Sequence, residues 1–174
     1  DTVETHLALG NLFRRRGEVE RAIRIHQNLI ARPTLDKEQR SQALLELGQD
    51  YFKAGLFDRA ENLFLELAEI RAHSEQALTL LRHIYQQEKE WEKAANVTRK
   101  LARVSGRNLD TVIAHYYCEM AEQVFAKKNI IIARAYVKQA FDNDPRCLRA
   151  SILLGDIEVA EGNDREAIQA WRQV

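Results

Sequence analysis

The stretch Leu9-Gly10-Asn11-Leu12-Phe13-Arg14-Arg15-Arg16-Gly17-Glu18-Val19-Glu20-Arg21-Ala22 decides the fold, because its skeleton returns. Leu47-Gly48 followed by Tyr51, Gly55 and Ala60 repeats it, and Leu154-Gly155 followed by Gly162 and Ala167 repeats it again. In each copy the two glycines lie seven apart and the Ala follows five later. The aromatic three after the first Gly (Phe13, Tyr51) becomes Glu158 in the last copy. Two more copies fit the frame without glycines. One runs through Leu78, Leu81, Tyr85, Trp91, Ala94 and Leu101; the other through Tyr117, Met120, Ala121, Ile130, Ala133, Ala140 and Pro145. The anchor alanines Ala22, Ala60, Ala94, Ala133 and Ala167 are spaced 38, 34, 39 and 34.

A base period of 34 with this pattern is the signature of the tetratricopeptide repeat, two antiparallel helices per unit. The expected fold is therefore all-α: a tetratricopeptide α-solenoid, a right-handed superhelix of about five helix-turn-helix repeats. A single domain over 1–174 is expected, with repeats at about 3–36, 41–74, 75–108, 114–147 and 148–174, the last truncated. The expected helices are 2–16, 19–31, 37–54, 57–70, 74–88, 91–104, 110–127, 130–142, 147–161 and 164–174. The mid-helix Gly or Ala would let the backbone of the second helix approach. The second Gly would end the first helix in the left-handed conformation. The two long spacings place loop insertions at 31–37 and 104–110. Each unit is apolar on one face, so stacking buries a continuous core. The chain starts without Met and stops inside a periodic segment, which reads as part of a longer protein. Its last repeat would leave Ile168 and Trp171 uncovered, so self-association through that end is expected.

Composition narrows the function. Lys+Arg and Asp+Glu are both 26 in 174 residues, giving no net charge. A general nucleic-acid binder would carry a basic surplus. The longest apolar run, Ile130-Ile131-Ile132-Ala133, is far short of the ~20 residues a membrane helix needs, and no signal peptide is expected. Two cysteines cannot form a disulfide framework or a zinc ribbon. Cys118 and Cys147 are expected to stay reduced, as in the cytosol. No metal, cofactor or catalytic residue is expected in the chain. The glycines punctuate helices instead of cradling phosphate, Asp/Glu pairs fit solvated helix faces, and no Ser has a nearby His/Asp pattern. Ser41 and Ser74 sit near helix starts and would cap them. His115 and Cys118 could share one helix face, but Cys147 belongs to another repeat. Trp91 and Trp171 read as repeat packing.

In such a solenoid the first helices line the inner groove. Counting from each anchor Ala, the residues expected to face inward include Leu7, Asn11, Arg14 and Arg15, then Leu45, Gln49, Phe52 and Lys53, then Thr79, His83, Gln86 and Gln87. His115, Cys118, Glu122 and Phe125 follow, then Arg149, Ile152, Asp156 and Val159. The candidate partner-binding set is Asn11, Arg14, Arg15, Gln49, Phe52, Lys53, His83, Gln86, Gln87 and Glu122. These residues are expected to serve binding more than folding. The run Arg14-Arg15-Arg16 has two readings: favourable charge at a helix C-terminus, or an anion or partner contact near a membrane surface. Co-chaperones of this repeat class grip a carboxylate with Lys and Asn one turn apart. Here Asn11 is present but Leu7 stands at the Lys position.

Several stretches carry a narrower resemblance. They are His6-Leu7-Ala8-Leu9-Gly10-Asn11-Leu12-Phe13-Arg14 with Arg16-Gly17-Glu18-Val19-Glu20-Arg21-Ala22-Ile23-Arg24-Ile25-His26-Gln27, then Gly55-Leu56-Phe57-Asp58-Arg59-Ala60-Glu61, Ile84-Tyr85-Gln86 with Glu90-Trp91, and Ile113-Ala114-His115-Tyr116-Tyr117-Cys118-Glu119. In order over two thirds of the chain, they resemble the lipopolysaccharide assembly protein B family. The resemblance implies a non-enzymatic adaptor on the cytoplasmic side of the inner membrane of Gram-negative bacteria. A membrane helix would precede the repeats and a rubredoxin-like metal domain would follow them. It also implies restraint of lipopolysaccharide synthesis, by promoting degradation of the deacetylase LpxC by the protease FtsH. Those two proteins and lipopolysaccharide assembly proteins are the partners it implies. The alternatives are a co-chaperone or secretion adaptor, or the repeat arm of an enzyme.

Overall fold

A computed structural model describes residues 2–172. Among them the chain forms helices only: α1 (Val3–Arg15), α2 (Val19–Ile30), α3 (Lys37–Lys53), α4 (Phe57–Ala68), α5 (Ser74–Gln87), α6 (Trp91–Ser105), α7 (Asp110–Ala126), α8 (Ile130–Asn143), α9 (Leu148–Ala160) and α10 (Asp164–Trp171). These bounds agree with the expected ones to within two residues, save at the end of α10, where the expected helix runs on into 173–174, outside the described residues. The chain divides into two compact units, 1–84 and 85–174, with the boundary inside α5.

The turn inside every repeat is built the same way. The residue five before each anchor Ala is left-handed: Gly17, Gly55 and Gly162 at φ +83°, +75° and +81°, but Lys89 and Lys128 at φ 57° and 59°. The next residue's N–H then donates back to the helix it has just left: Glu18 to Phe13, Leu56 to Tyr51, Glu90 to Tyr85, Asn129 to Val124 and Asn163 to Glu158, at 2.8–3.0 Å. This is the glycine-type helix stop, which satisfies carbonyls the helix end would orphan. Lys89 and Lys128 adopt it with a Cβ, at a cost of about 1 kcal/mol or more each.

The mid-helix glycines have a different purpose from the one expected. It is a side chain, not the backbone of the second helix, that fills the space they open. A Cβ at Gly48 would lie 2.6 Å from Cε1 of Phe64, and Cβ atoms at Gly10 and Gly155 would strike the rings of His26 and Trp171. Each ring lies sixteen positions after its Gly. In the fourth repeat the same pair of positions holds Ala121 and Val137, both buried. Small faces large, and medium faces medium. The anchor alanines are fully buried, as a close helix crossing requires.

Unit 1 also contains a buried polar network that the sequence pattern does not announce. His26 Nδ1 meets Asp50 Oδ2 at 2.5 Å, both side chains fully buried. Asp50 Oδ1 accepts from Arg14 Nη1 at 2.8 Å, and Arg14 Nη2 reaches Glu46 Oε2 at 2.7 Å. The network joins α1, α2 and α3. In unit 2, Arg134 of α8 binds Glu158 of α9 and Glu161 at that helix's C-terminal end. Arg149 of α9 binds Glu119 and Glu122 of α7, both at 2.7 Å.

Candidate functional site

In unit 1, α1, α3 and α5 present Arg14, Arg15, Gln49, Phe52, Lys53 and Leu80 around one groove of about 390 Å³. Five of the ten residues expected to bind a partner are thus brought together. Leu80 joins them from α5; counting from the anchor Ala names Thr79 and His83 on that helix instead. The position of each follows from local structure. Arg15 and Lys53 are the last residues of their helices and Arg14 and Phe52 the ones before, so the basic groups also complement the helix C-termini. Phe52 rests on Phe57, with ring centroids 5.6 Å apart.

The two arginines divide the work. Arg14 is largely buried and its guanidinium is consumed by Asp50, Glu46, the Glu46 carbonyl and Gln49 Oε1. This corrects the expectation that Arg14 serves binding more than folding: it ties α1 to α3, and Asp50 would be a buried, less fully paired carboxylate without it. Arg15 and Lys53 are exposed and make no ion pair among the described residues. Gln49 spends its oxygen on Arg14 at 3.2 Å, which leaves its NH2 end to donate.

The other expected residues lie elsewhere. Asn11 is half-buried, and its Oδ1 is buried with no hydrogen-bond partner. His83 is exposed on α5, and desolvation, then the neighbouring Arg82, lowers its imidazole pKa from the ordinary value. Gln86 donates to the Tyr116 hydroxyl at 2.8 Å, and Gln87 is exposed at the end of α5. Glu122 is engaged by Arg149. Two of the wider inward-facing set are core residues: Leu45 and Cys118 are 1% and 0% exposed.

Two pairings separate in sequence are adjacent in space. Cys118 and Cys147 belong to different repeats, yet their Sγ atoms lie 3.8 Å apart, buried and unbonded. Burial, then the neighbouring Cys147, pushes the Cys118 thiol up to about 12. No group of three or more His, Cys, Asp or Glu that could hold a metal ion occurs among the described residues. Ser41 is inside α3 and not its cap; Asp36 caps that helix, in a reciprocal box with Gln39. Ser41 Oγ donates to the Glu38 carbonyl at 2.8 Å and meets His73 Nε2 at 3.0 Å. Its one proton is committed to the carbonyl, so His73 donates to it and the pair is a structural joint. Trp91 stacks on Tyr116 at 6.0 Å, and Trp171 covers Gly155.

Comparison with known proteins accords with the repeat frame. Tetratricopeptide repeat profiles match residues 5–41 and 130–173. Lipopolysaccharide assembly protein B of Escherichia coli K12 is 42% identical over 173 residues, 99% of this chain. The protein of that name from Haemophilus influenzae is 39% identical over 171 residues, 98% of this chain.

Over nearly its whole length the chain is similar to lipopolysaccharide assembly protein B.

It spans 44% and 43% of those two relatives, so it corresponds to less than half of either relative's length. Among solved structures, a crystal structure of MamA protein matches with a TM-score of 0.57 at 18% identity, covering 98% of this chain and 88% of that one. Repeats of a putative kinesin light chain from Podosopora anserina match with a TM-score of 0.52 at 18% identity, covering 98% and 92%. At such identity these likenesses speak for the fold alone. No helix among the described residues is long and apolar enough to cross a membrane.

Proposed function

We propose that this chain is a non-enzymatic protein-binding scaffold, and that, as the family resemblance implies, it helps restrain lipopolysaccharide synthesis at the cytoplasmic face of the inner membrane. It does so by presenting the deacetylase LpxC to the protease FtsH. The observation that carries the binding role is the groove of α1, α3 and α5. Arg15 and Lys53, neither of them paired with a carboxylate among the described residues, line it with the half-buried Phe52 and Leu80, beside Arg14, whose charge is taken up by Glu46 and Asp50. The 42% identity to a protein named for lipopolysaccharide assembly carries the biological setting. A metal centre, in this reading, belongs to another part of the family's architecture, and these repeats bind none.

The test is made in the full-length protein with Arg15→Glu and Lys53→Glu together. Both residues are exposed, so the repeats stay folded by circular dichroism. The reading expects the deacetylase to accumulate, as in a strain lacking the gene. Unchanged deacetylase with reversed groove charge refutes it.

A further inference from the structure

We infer that the groove of unit 1 takes an acidic, extended internal segment of a partner protein that carries at least one bulky apolar side chain. This rests on the scaffold reading and names the chemistry of its ligand. The groove walls differ in kind. Phe52 and Leu80 supply a half-buried apolar surface. Arg15 and Lys53 close the last turns of α1 and α3, and neither is neutralised by a carboxylate among the described residues. Other cations of the chain show what neutralisation looks like: Arg134 and Arg149 each hold two carboxylates.

Arg14, in the same groove, helps define the ligand by being unavailable. Its four hydrogen bonds run to Asp50, Glu46 and Gln49, so it cannot turn outward without leaving the fully buried Asp50 carboxylate with His26 as its one remaining ion-pair partner among the described residues. What it does instead is fix the Gln49 amide, whose NH2 end is left to donate to a main-chain carbonyl of an extended ligand. Two exposed cations on neighbouring helices, with the Gln49 side-chain amide available to a main-chain carbonyl, suit carboxylate side chains flanking an apolar residue better than a single terminal carboxylate. With Arg14 committed and Leu7 standing one turn before Asn11 where a terminal clamp has its Lys, α1 lacks the Lys–Asn pair that grips a terminal carboxylate. Charge complementarity also predicts salt-dependent association.

The experiment uses fluorescence anisotropy of the 174-residue chain with a labelled peptide. Its core is two leucines flanked on each side by two glutamates, acetylated and amidated so that no terminal carboxylate is present. Micromolar binding that weakens about tenfold on Arg15→Ala, about tenfold on Lys53→Ala, and with added salt supports the inference. The control Lys100→Ala, exposed on α6, should leave binding unchanged. Three results overturn it: equal binding of a peptide with glutamine for glutamate, binding indifferent to Arg15 and Lys53, or no binding unless the peptide has a free C-terminus. Failure here is separable from failure of the scaffold reading. If Phe52→Ala with Leu80→Ser releases the deacetylase in cells while the acidic peptide does not bind, the groove is the site and its ligand is not acidic.

Discussion

Replacing Gly48 by Ala and Phe64 by Val, singly and together, tests how the repeats pack. A Cβ at Gly48 would sit 2.6, 3.0 and 3.2 Å from Cε1, Cζ and Cδ1 of Phe64, a ring that is fully buried and has nowhere to retreat. Ala is otherwise preferred to Gly in a helix by about 1 kcal/mol. Overpacking typically costs 1–3 kcal/mol, so Gly48→Ala should be destabilising by about 1 kcal/mol net. Phe64→Val leaves a cavity and should cost about 2.5 kcal/mol, a little below the range for truncating a buried Phe to Ala. Together they recreate the Ala121–Val137 pair of the fourth repeat. The new methyl then enters the space the ring has vacated, and the helix preference for Ala is recovered. The double variant should lose only about 2 kcal/mol, a favourable coupling of about 1.5 kcal/mol where additivity would give none. Urea denaturation followed by circular dichroism measures it, with unchanged m values required for the comparison. Additive losses, or a stabilising Gly48→Ala, would refute small-against-large packing as the reason for these glycines.

Three more outcomes follow from single interactions. Arg14→Ala should destabilise the chain by about 3 kcal/mol, because it takes a partner from the buried Asp50, and urea midpoints would contradict this if they matched wild type. Lys128→Gly should stabilise by about 1 kcal/mol, since a left-handed φ of 59° strains any residue with a Cβ, and a lower melting point would count against it. The third concerns acid. A hydrogen bond from Arg134 holds the Glu158 carboxyl below the ordinary range. A folded pKa below the unfolded one gives stability that is present above the unfolded carboxylate value of about 4.3 and is lost as pH falls through it towards the folded value. Glu158→Gln should therefore show a shallower loss of stability between pH 6 and 3 than wild type, and parallel curves would disprove the assignment.

Much of this fold is legible in sequence because the repeat imposes one residue type at each site that backbone geometry or close packing restricts. Gly17, Gly55 and Gly162 mark turns only glycine adopts without strain, and the anchor alanines mark crossings that admit only a methyl group. The frame also picked five residues that share the groove, since the same offset from the anchor lands on the same helix face. It could not distinguish Arg14 from Arg15. Both are cations in one turn, and only the carboxylates of Glu46 and Asp50, more than thirty residues away, make one of them internal. Cys118 with Cys147 and Ser41 with His73 are likewise contacts between successive repeats. Periodicity defines each unit but not what its neighbour places against it.

The most direct measurement is site-specific photocrosslinking in living cells. A benzophenone amino acid is placed at Phe52 or at Leu80 of the full-length protein, and at Lys100 on the exposed face of α6 for comparison. The account predicts crosslinks to the deacetylase or the protease from Phe52 and Leu80, and none from Lys100. Crosslinks to those proteins from Lys100 alone, with Phe52 and Leu80 silent, would contradict it.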